Sequence, residues 1–218
     1  MTKPRRQTRI QQRNRRAILD AALAEFSNAG FAGATLDAIA LAAGLSKPNL
    51  LYYFPSKEAI YLDLLSALMS MWLDPLLALD ADGEPIEEIV AYALRKLRMS
   101  RDFPRESRLF ANEIVSGAPR FAARIEGELK NLVDDKAALI AQWQDQGLLA
   151  AMEPRHLIFS IWAVTQHYAD FDAQVRGILA PHGNAHFDEA ERFVETFYRH
   201  ALAPEAGAPA MPAPAARN

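Results

Sequence analysis

The sequence of 218 residues contains no cysteine, which excludes disulfides, thiolate metal sites and cysteine nucleophiles. It has no uninterrupted apolar run near the ~20 residues that a membrane-spanning helix needs. The first sixteen residues hold seven Lys and Arg and no apolar segment, so we expect no signal peptide. No glycine-rich phosphate loop and no recognisable pairing of nucleophile and base is present. These absences favour a cytoplasmic protein that is not an enzyme and needs no cofactor.

What the sequence does contain is helical patterning. Half of its residues are apolar, which is enough for a sizeable core. Apolar residues recur at helical spacing, prolines stand where helix starts tolerate them, and no segment alternates as a strand would. The sequence therefore predicts an all-α fold. Beyond the first quarter of the chain, helices are expected near Glu84–Arg101, Pro104–Ser116, Pro119–Gln146, Pro154–Leu179 and Phe187–Leu202.

The segment 35–61 reads TLDAIALAAGLSKPNLLYYFPSKEAIY and predicts two short helices joined by a tight turn. Thr35 is a hydroxyl N-cap for the first helix, and Gly44 can supply the positive φ that ends it. Ser46 caps the second helix, in which Pro48 occupies the first turn, where a missing N–H costs nothing. This order matches the helix-turn-helix, whose second helix enters the major groove of DNA.

The distribution of charge supports a DNA partner. Residues 1–57 contain nine Lys and Arg against three Asp and Glu, whereas the rest of the chain holds 15 basic and 24 acidic residues. A basic segment around a reading helix is the electrostatic footprint of phosphate binding. The acidic remainder is unsuited to lying on a polyanion.

We expect four segments along the chain. Residues 1–12 form a basic disordered arm, equally well interpreted as a solubilising tail, and residues 13–56 form a DNA-binding headpiece. Residues 57–202 form a helical effector-binding and dimerisation domain, and residues 203–218 a disordered Ala/Pro tail. The headpiece begins with a helix from near Asn14 to Gly30, and a fourth helix runs from beyond Ser56 to Pro75. The expected headpiece core is Leu23, Phe26, Phe31, Leu36, Ile39, Leu45, Leu50 and Phe54.

A palindromic site must be read by two headpieces about 34–36 Å apart, so DNA binding itself argues for a homodimer. The long apolar stripes near residues 125–143 and 157–168 suit a helix bundle or pairing across a two-fold axis. Periodicity alone does not choose between them.

The candidate DNA contacts come from the reading helix and its flanks. Lys47 can donate to guanine, and Asn49 can pair with adenine. Alternatively, the capping residues only cap and the lysines are only solvated. The full candidate set is Thr35, Ser46, Lys47, Pro48, Asn49, Tyr52, Tyr53 and Lys57, of which Ser46, Tyr53, Lys57 and the backbone at Thr35 would meet phosphates. One of Tyr52 and Tyr53 is expected to pack and the other to touch the DNA backbone.

These residues resemble the TetR/AcrR family of one-component transcriptional regulators. The resemblance spans residues 15–61, and its signature is AxxAGLSKxxLLYYFPSKEAIY. The rest of the chain resembles the pyrimidine-utilisation regulators of that family, in the segments 72–75, 100–104, 107–110, 116–119 and 165–171. This resemblance implies a homodimeric repressor or dual regulator whose C-terminal domain binds a small effector such as uracil.

The resemblance also implies an effector site. Uracil is flat and presents alternating donors and acceptors, so it needs aromatic faces and a side-chain amide. Trp72 and Gln166 match the pocket positions of the relatives, and the candidate wall residues are Phe110, Glu113, Trp162, His167 and Tyr168. Without the resemblance, the tryptophans would be interpreted as ordinary core and Gln166 as a partner of the backbone.

Two other functions stay open at this point. The same class of regulator could sense another flat or lipophilic metabolite or a drug, and an all-α enzyme or scaffold could carry a vestigial headpiece. His182 and His186 have the i, i+4 spacing of metal ligands, but Pro181 and Gly183 favour a loop, so we expect no metal site.

Overall fold

The computed structural model describes residues 9–204, and within that range the chain is helical without any strand, which confirms the all-α prediction. The predictions for residues 1–8 and 205–218 lie outside the described residues. A π-helical turn, Ile125–Leu129, joins the short helix Ala122–Arg124 to the helix Lys130–Asp145. The helices are α1 (Arg9–Gly33), α2 (Leu36–Ala42), α3 (Lys47–Tyr53), α4 (Lys57–Leu77), α5 (Pro85–Asp102), α6 (Pro104–Val115), α7 (Ala122–Arg124), α8 (Lys130–Asp145), α9 (Pro154–Asp170), α10 (Asp172–Leu179) and α11 (His186–Leu202).

The helices form two compact units. Among the described residues, the first unit contains residues 9–71 together with Phe103–Ala123, and the second contains Trp72–Asp102 and residues 124–204. The chain therefore passes from the first unit to the second within α4. It returns to the first unit just before α6 and enters the second unit again after Ala123. This division does not follow the domain boundary expected at residue 56, which stays a prediction.

In the headpiece, α1 to α3 and the residue that follows, five of the eight side chains expected in the core are buried. The fully enclosed side chains are Leu23, Phe26, Ile39, Leu50 and Phe54, each no more than 6% exposed. Phe31, Leu36 and Leu45, expected in the same core, are only half-buried. Burying five large apolar side chains contributes on the order of 1.5–3 kcal/mol each, so the short α2 and α3 are held by packing more than by helix propensity.

The end of α1 is fixed by the first residue of α4. Gly30 breaks the helical path with φ 66° and ψ 177°, and a last turn then runs to Gly33. The Lys57 ammonium donates to the carbonyl oxygens of Phe31 and Ala34 at 2.7 and 2.8 Å. It also lies 4.5 Å from the centroid of the Phe31 ring. Lys57 thus satisfies carbonyls that a helix end leaves without partners.

In the second unit, α5 packs against α9 and α11, and α8 packs against α9. The core side chains of this unit include Tyr92, Leu97, Ile158, Ile161 and Tyr198, each about 1% exposed or less. Tyr92 accepts a hydrogen bond of 2.6 Å from the Trp162 indole N–H, so α5 and α9 share a polar contact inside an apolar core.

Several helix limits differ from the prediction. The first helix begins at Arg9, so residues 9–12 of the expected arm are helical, and α4 continues past Pro75 to Leu77. The helix expected from Pro119 begins at Ala122, because the buried Glu113 carboxylate accepts the Arg120 N–H at 2.8 Å and holds the preceding residues in a turn.

The helix expected over residues 154–179 is two helices. Phe171 interrupts it with φ −111° and ψ 28°, and the Phe171 ring stacks on His167 with 5.0 Å between centroids. The last helix starts at His186, one residue before the prediction, and His182 stands in the preceding loop. No group of three or more His, Asp or Glu that could hold a metal ion occurs within residues 9–204.

By length and composition, α4 is also apolar enough to cross a membrane, with a mean hydropathy of 1.3 over its most apolar window. Within the fold, 56% of that window is buried. Core helices of soluble proteins meet the same criterion, so α4 is weak support for a membrane span.

The turn between α2 and α3 depends on the positive φ of Gly44. Gly44 has φ 67°, and a Cβ added there meets no atom within 4 Å, so only backbone strain opposes a side chain. We expect Gly44→Ala to lower stability by about 1–2 kcal/mol. Gly177→Ala in α10 is the matched control, because that site also has open space but a helical backbone. It should be neutral or stabilising by up to about 1 kcal/mol in thermal unfolding, and equal melting temperatures for the two variants would contradict this assignment of strain.

Candidate nucleic-acid interface and effector site

The reading helix presents its polar end to solvent. Lys47, Pro48 and Asn49 are exposed, whereas Leu50 is completely buried beneath them. The buried leucine fixes the rotation of α3 about its axis. Lys47 and Asn49, which were predicted to contact bases, and Pro48 between them therefore stand together on the outer face, where a DNA groove can be reached.

Both predicted capping residues cap their helices. The Thr35 hydroxyl accepts the Ala38 N–H at 3.1 Å, and the Ser46 hydroxyl accepts the Asn49 N–H at 3.4 Å. Both residues are exposed. Their hydroxyl hydrogens and the remaining free N–H groups of the first turns are still available to a phosphate.

Lys47 already has a partner within the headpiece. Its ammonium lies 2.9 Å from a carboxylate oxygen of Asp37, in the first turn of α2. The two side chains are 46% and 70% exposed, so the pair contributes at most about 1 kcal/mol. DNA can therefore compete for Lys47 at small cost.

The two tyrosines that end α3 differ in exposure. Tyr52 is 71% exposed, and Tyr53 is half-buried, where its hydroxyl accepts a hydrogen bond of 3.1 Å from the Asn14 side chain. Their rings meet edge to face with centroids 5.2 Å apart. Tyr53 is thus the more enclosed of the two, and Tyr52 is the more exposed, although its hydroxyl also accepts a hydrogen bond of 3.3 Å from the Gln11 side chain. The phosphate contact predicted for Tyr53 stays a prediction.

Lys57 occupies a different position from the one that sequence reasoning gave it. Its two hydrogen bonds to the end of α1 use two of its three N–H groups, and the side chain is half-buried. A phosphate contact would have to use the third N–H group. That contact stays a prediction, and the structural role of Lys57 is the one that the geometry gives.

The seven candidate effector residues divide between the two units. Phe110 and Glu113 belong to the first unit, where Phe110 packs edge to face on Phe121. The Glu113 side chain is 1% exposed and lies 3.7 Å from the Arg120 guanidinium. The other five residues belong to the second unit, so the prediction of one shared site stays untested for Phe110 and Glu113.

Within the second unit, α9 carries four of the candidates. Trp162 is half-buried, and its indole N–H is already bonded to Tyr92. Gln166, one turn further, is half-buried, whereas His167 is exposed and stacks on Phe171. Tyr168 is half-buried, with its ring centroid 5.8 Å from that of Phe187. Gln166 and Tyr168 are therefore better placed than His167 to line an internal site.

Trp72 is buried beside a charged residue that sequence reasoning missed. The Trp72 side chain is 7% exposed, and its indole Nε1 is buried without a hydrogen-bond partner among the described residues. The Lys96 ammonium lies 5.0 Å from the centroid of the Trp72 ring, and Lys96 is only 2% exposed. Burial lowers the pKa of Lys96 to about 7, while the Asp170 carboxylate at the end of α9 raises it and so favours the charged form.

One signal in the sequence could have revealed Lys96. The buried stripe of α5 contains Ile89, Ala93, Lys96 and Ser100, at the spacing of one helix face. A lysine in the middle of such a stripe cannot reach water easily, and charged residues are almost never fully buried without a partner. A perturbed, buried ionisable group of this kind marks a candidate functional site.

The buried charge predicts a specific dependence of stability on pH. The pKa of Lys96 is about 7 in the folded protein against 10.5 for the ordinary side chain. Between these values the unfolded chain binds more protons, so stability should rise with pH above about 7. Lys96→Met should remove that rise and stabilise the protein near neutral pH by about 1–4 kcal/mol.

Thermal unfolding of the wild type and Lys96→Met across this pH range measures the effect. Lys130→Met is the matched control, because Lys130 is an exposed lysine whose side chain is 63% accessible in an ion pair with Asp134. A parallel pH dependence in the wild type and Lys96→Met would show that Lys96 titrates normally.

Comparison with known proteins agrees with this geometry. Residues 18–64 match the family model described as bacterial regulatory proteins, tetR family, and residues 65–205 match that of the YcdC-like protein, C-terminal region. The chain is 50% identical over 173 residues to the HTH-type transcriptional regulator RutR of Escherichia coli strain K12, which covers 79% of this chain and 82% of RutR.

Solved structures share the fold. A putative transcriptional regulator, SCO4942 from Streptomyces coelicolor, has a TM-score of 0.64 at 25% identity and covers 87% of this chain and 98% of its own. AibR, solved in complex with isovaleryl coenzyme A and operator DNA, has a TM-score of 0.70 at 20% identity and covers 88% of this chain and 99% of its own. The chain therefore belongs to the TetR family of DNA-binding transcriptional regulators and is not an enzyme.

Proposed function

We propose that the protein is a homodimeric, cytoplasmic repressor that binds a palindromic operator and is released by a pyrimidine such as uracil. The observation that carries the DNA-binding part is the outward face of α3, where Lys47, Pro48 and Asn49 are exposed above the buried Leu50. The pyrimidine part is supported by the 50% identity to RutR and by the buried, unpartnered indole N–H of Trp72.

The DNA contacts follow from side-chain chemistry. Asn49 makes a bidentate pair with adenine, and Lys47 leaves Asp37 to donate to guanine, each contributing about 1–3 kcal/mol of discrimination. Ser46, Tyr52 and the first turn of α2 behind Thr35 contact phosphates, which position the headpiece without reading the sequence. Lys57 acts mainly by holding the end of α1, with its third N–H toward the backbone of the DNA.

A dimer supplies the second headpiece. Three aromatic side chains of the second unit support it, because Phe159, Phe193 and Phe197 are 45%, 53% and 44% exposed. Phe193 and Phe197 stack on one another along α11, with centroids 5.7 Å apart. Exposed aromatic side chains of this kind are typical of a surface that is covered in the assembled protein.

The effector acts through the equilibrium between two dimer states. Helix α4 contributes residues to both units, with Lys57 in the first and Trp72 in the second. A ligand that contacts Trp72 and favours the state with mis-spaced headpieces lowers operator affinity. A coupling free energy of about 1–3 kcal/mol is enough for a release of 5- to 150-fold.

A second candidate effector is a lipophilic metabolite. AibR, which shares the fold, was solved with isovaleryl coenzyme A. In that case the exposed apolar side chains of the second unit would contribute more to effector binding than Trp72 and Gln166 do. Substitution of Trp72 or Gln166 separates the two, because a metabolite site elsewhere would keep its response in both variants.

The ion pair between Asp37 and Lys47 gives a test of the DNA interface. Asp37→Asn removes the internal competitor for Lys47 together with one negative charge near the DNA, so operator affinity should rise several-fold. Lys47→Met should lower the operator affinity by about 1–3 kcal/mol, because it removes the contact with guanine. Fluorescence anisotropy with operator DNA at several salt concentrations measures both changes.

The control is Asp135→Asn, an exposed carboxylate of α8 in the second unit. It should leave the operator affinity unchanged. If Asp37→Asn weakens operator binding, then Asp37 supports the reading helix and Lys47 does not turn to DNA.

The effector is tested with an operator shift assay in the presence and absence of uracil. We expect uracil to release the operator in the wild type, with much weaker release in Gln166→Ala. Thr165, the neighbour of Gln166, cannot serve as the control position, because its hydroxyl donates a hydrogen bond within α9. The control is His156→Ala, because His156 is exposed at the start of the same helix. No release, combined with no calorimetric binding of uracil, would exclude a pyrimidine effector and leave the family assignment intact.

A further inference from the structure

We propose that Lys96 and Trp72 form a donor-only end of the effector site, which binds a carbonyl oxygen of the ligand. Nothing in the comparison with relatives assigns a role to Lys96. The inference rests on the proposed function, since it names the part of the pyrimidine that this end of the site recognises.

A buried hydrogen-bond donor lies beside a buried cation. Trp72 Nε1 is buried without a partner among residues 9–204, and Lys96, which is only 2% exposed, lies next to its ring. A buried donor without an acceptor lowers stability because its desolvation is not compensated. Such a donor next to a buried charge is rarely retained in a core unless a bound molecule satisfies it.

The Lys96 ammonium and the Trp72 indole are close together in one unit. The ammonium lies 5.0 Å from the centroid of the Trp72 ring, within the distance at which a cation is attracted to an aromatic face. That attraction holds Lys96 in place without using any of its N–H groups. Its hydrogens therefore stay available to a ligand next to the indole N–H.

The pair of Lys96 and Trp72 offers hydrogen-bond donors and no acceptors. A protonated lysine has three donors and no acceptor, and an indole has one donor and no acceptor. The Asp170 carboxylate favours the charged form of Lys96, which opposes the lowering of its pKa by burial. This end of the site therefore takes a ligand oxygen, and it offers nothing to a ligand N–H.

The ring N–H groups of a pyrimidine need acceptors from elsewhere. Gln166 is half-buried on α9 and carries an amide oxygen that can supply one of them. A donor-only pair and an amide together match a flat ring with alternating carbonyl and N–H groups. The same donors would also bind a carboxylate, so the experiment must identify the ligand atom.

A cycle of ligand and protein changes identifies that atom. Uracil, 2-thiouracil and 4-thiouracil are titrated calorimetrically into the wild type and Lys96→Met, since sulfur is a weak hydrogen-bond acceptor. We expect Lys96→Met to bind uracil about 10- to 100-fold more weakly, the effect of losing a charged hydrogen bond. In the wild type, one of the two thio analogues should bind more weakly than uracil. Lys96→Met should bind that analogue and uracil equally well.

Trp72→Phe keeps the ring beneath the ammonium but removes the N–H group, so uracil should bind it about 2- to 10-fold more weakly. Lys130→Met, an exposed lysine in the same unit, should bind all three ligands as the wild type does. Melting temperatures without ligand show whether each variant is folded, and Lys96→Met is expected to be at least as stable as the wild type.

Three outcomes separate this inference from the proposed function. If Lys96→Met binds uracil within about two-fold of the wild type, Lys96 is not in the site, although the pyrimidine proposal stands. If replacing uracil by a thio analogue weakens binding by the same factor in the wild type and in Lys96→Met, Lys96 does not contact a ligand oxygen. If the wild type binds none of the three ligands, the pyrimidine proposal fails and this inference fails with it.

Discussion

The contact between Lys57 and the end of α1 determines the geometry of the first unit. The Lys57 ammonium binds the carbonyl oxygens of Phe31 and Ala34, so the first residue of α4 closes the last residues of α1. The Phe31 ring lies beneath it, and the Arg120 guanidinium lies 3.7 Å from the centroid of the same ring. Two cations and one aromatic ring thus join the headpiece to α4 and to the turn after α6. Because the joint is made of short, partly buried hydrogen bonds, the headpiece and the start of α4 behave as one body.

The second unit depends on a different constraint, which is the cost of burying Lys96. The charged form loses its hydration, and the Trp72 ring and the Asp170 carboxylate offset part of that loss. Domains are stable by about 5–15 kcal/mol in total, so a penalty of several kcal/mol is a large fraction of the total. A site that costs stability in the empty protein gains most when a ligand binds, because binding then removes the penalty.

Local features of the structure could be predicted from the sequence. The caps at Thr35 and Ser46, the positive φ of Gly44 and the buried Leu50 depend on residues within one turn, and all are present. The resemblance to the TetR family, stated from the headpiece motif, is confirmed by the matching family models. Each of these predictions needed only the identity and spacing of neighbouring residues.

Features that depend on distant residues were missed. The late start of α7 follows from the buried Glu113 carboxylate, and the role of Lys57 follows from carbonyls more than 20 residues earlier in the chain. Counting charges places Lys57 with the phosphate-binding residues, because the count does not show which lysines already have acceptors. Lys96 was overlooked for the same reason, since a lysine within an amphipathic helix is ordinarily solvated.

The two units therefore differ in the solvent exposure of their important cations. Lys47 in the first unit is exposed, whereas Lys96 in the second unit is buried. The pair of Lys47 with Asp37 is exposed and screened, so its contribution is at most about 1 kcal/mol and DNA can replace the carboxylate readily. Lys96 is buried, so a ligand oxygen that reached it would change its free energy by an amount comparable to a coupling of about 1–3 kcal/mol. Under the proposed function, the exposed pair would keep operator binding reversible and dependent on salt. The buried charge would then make the effector response specific to the ligand atom that contacts it.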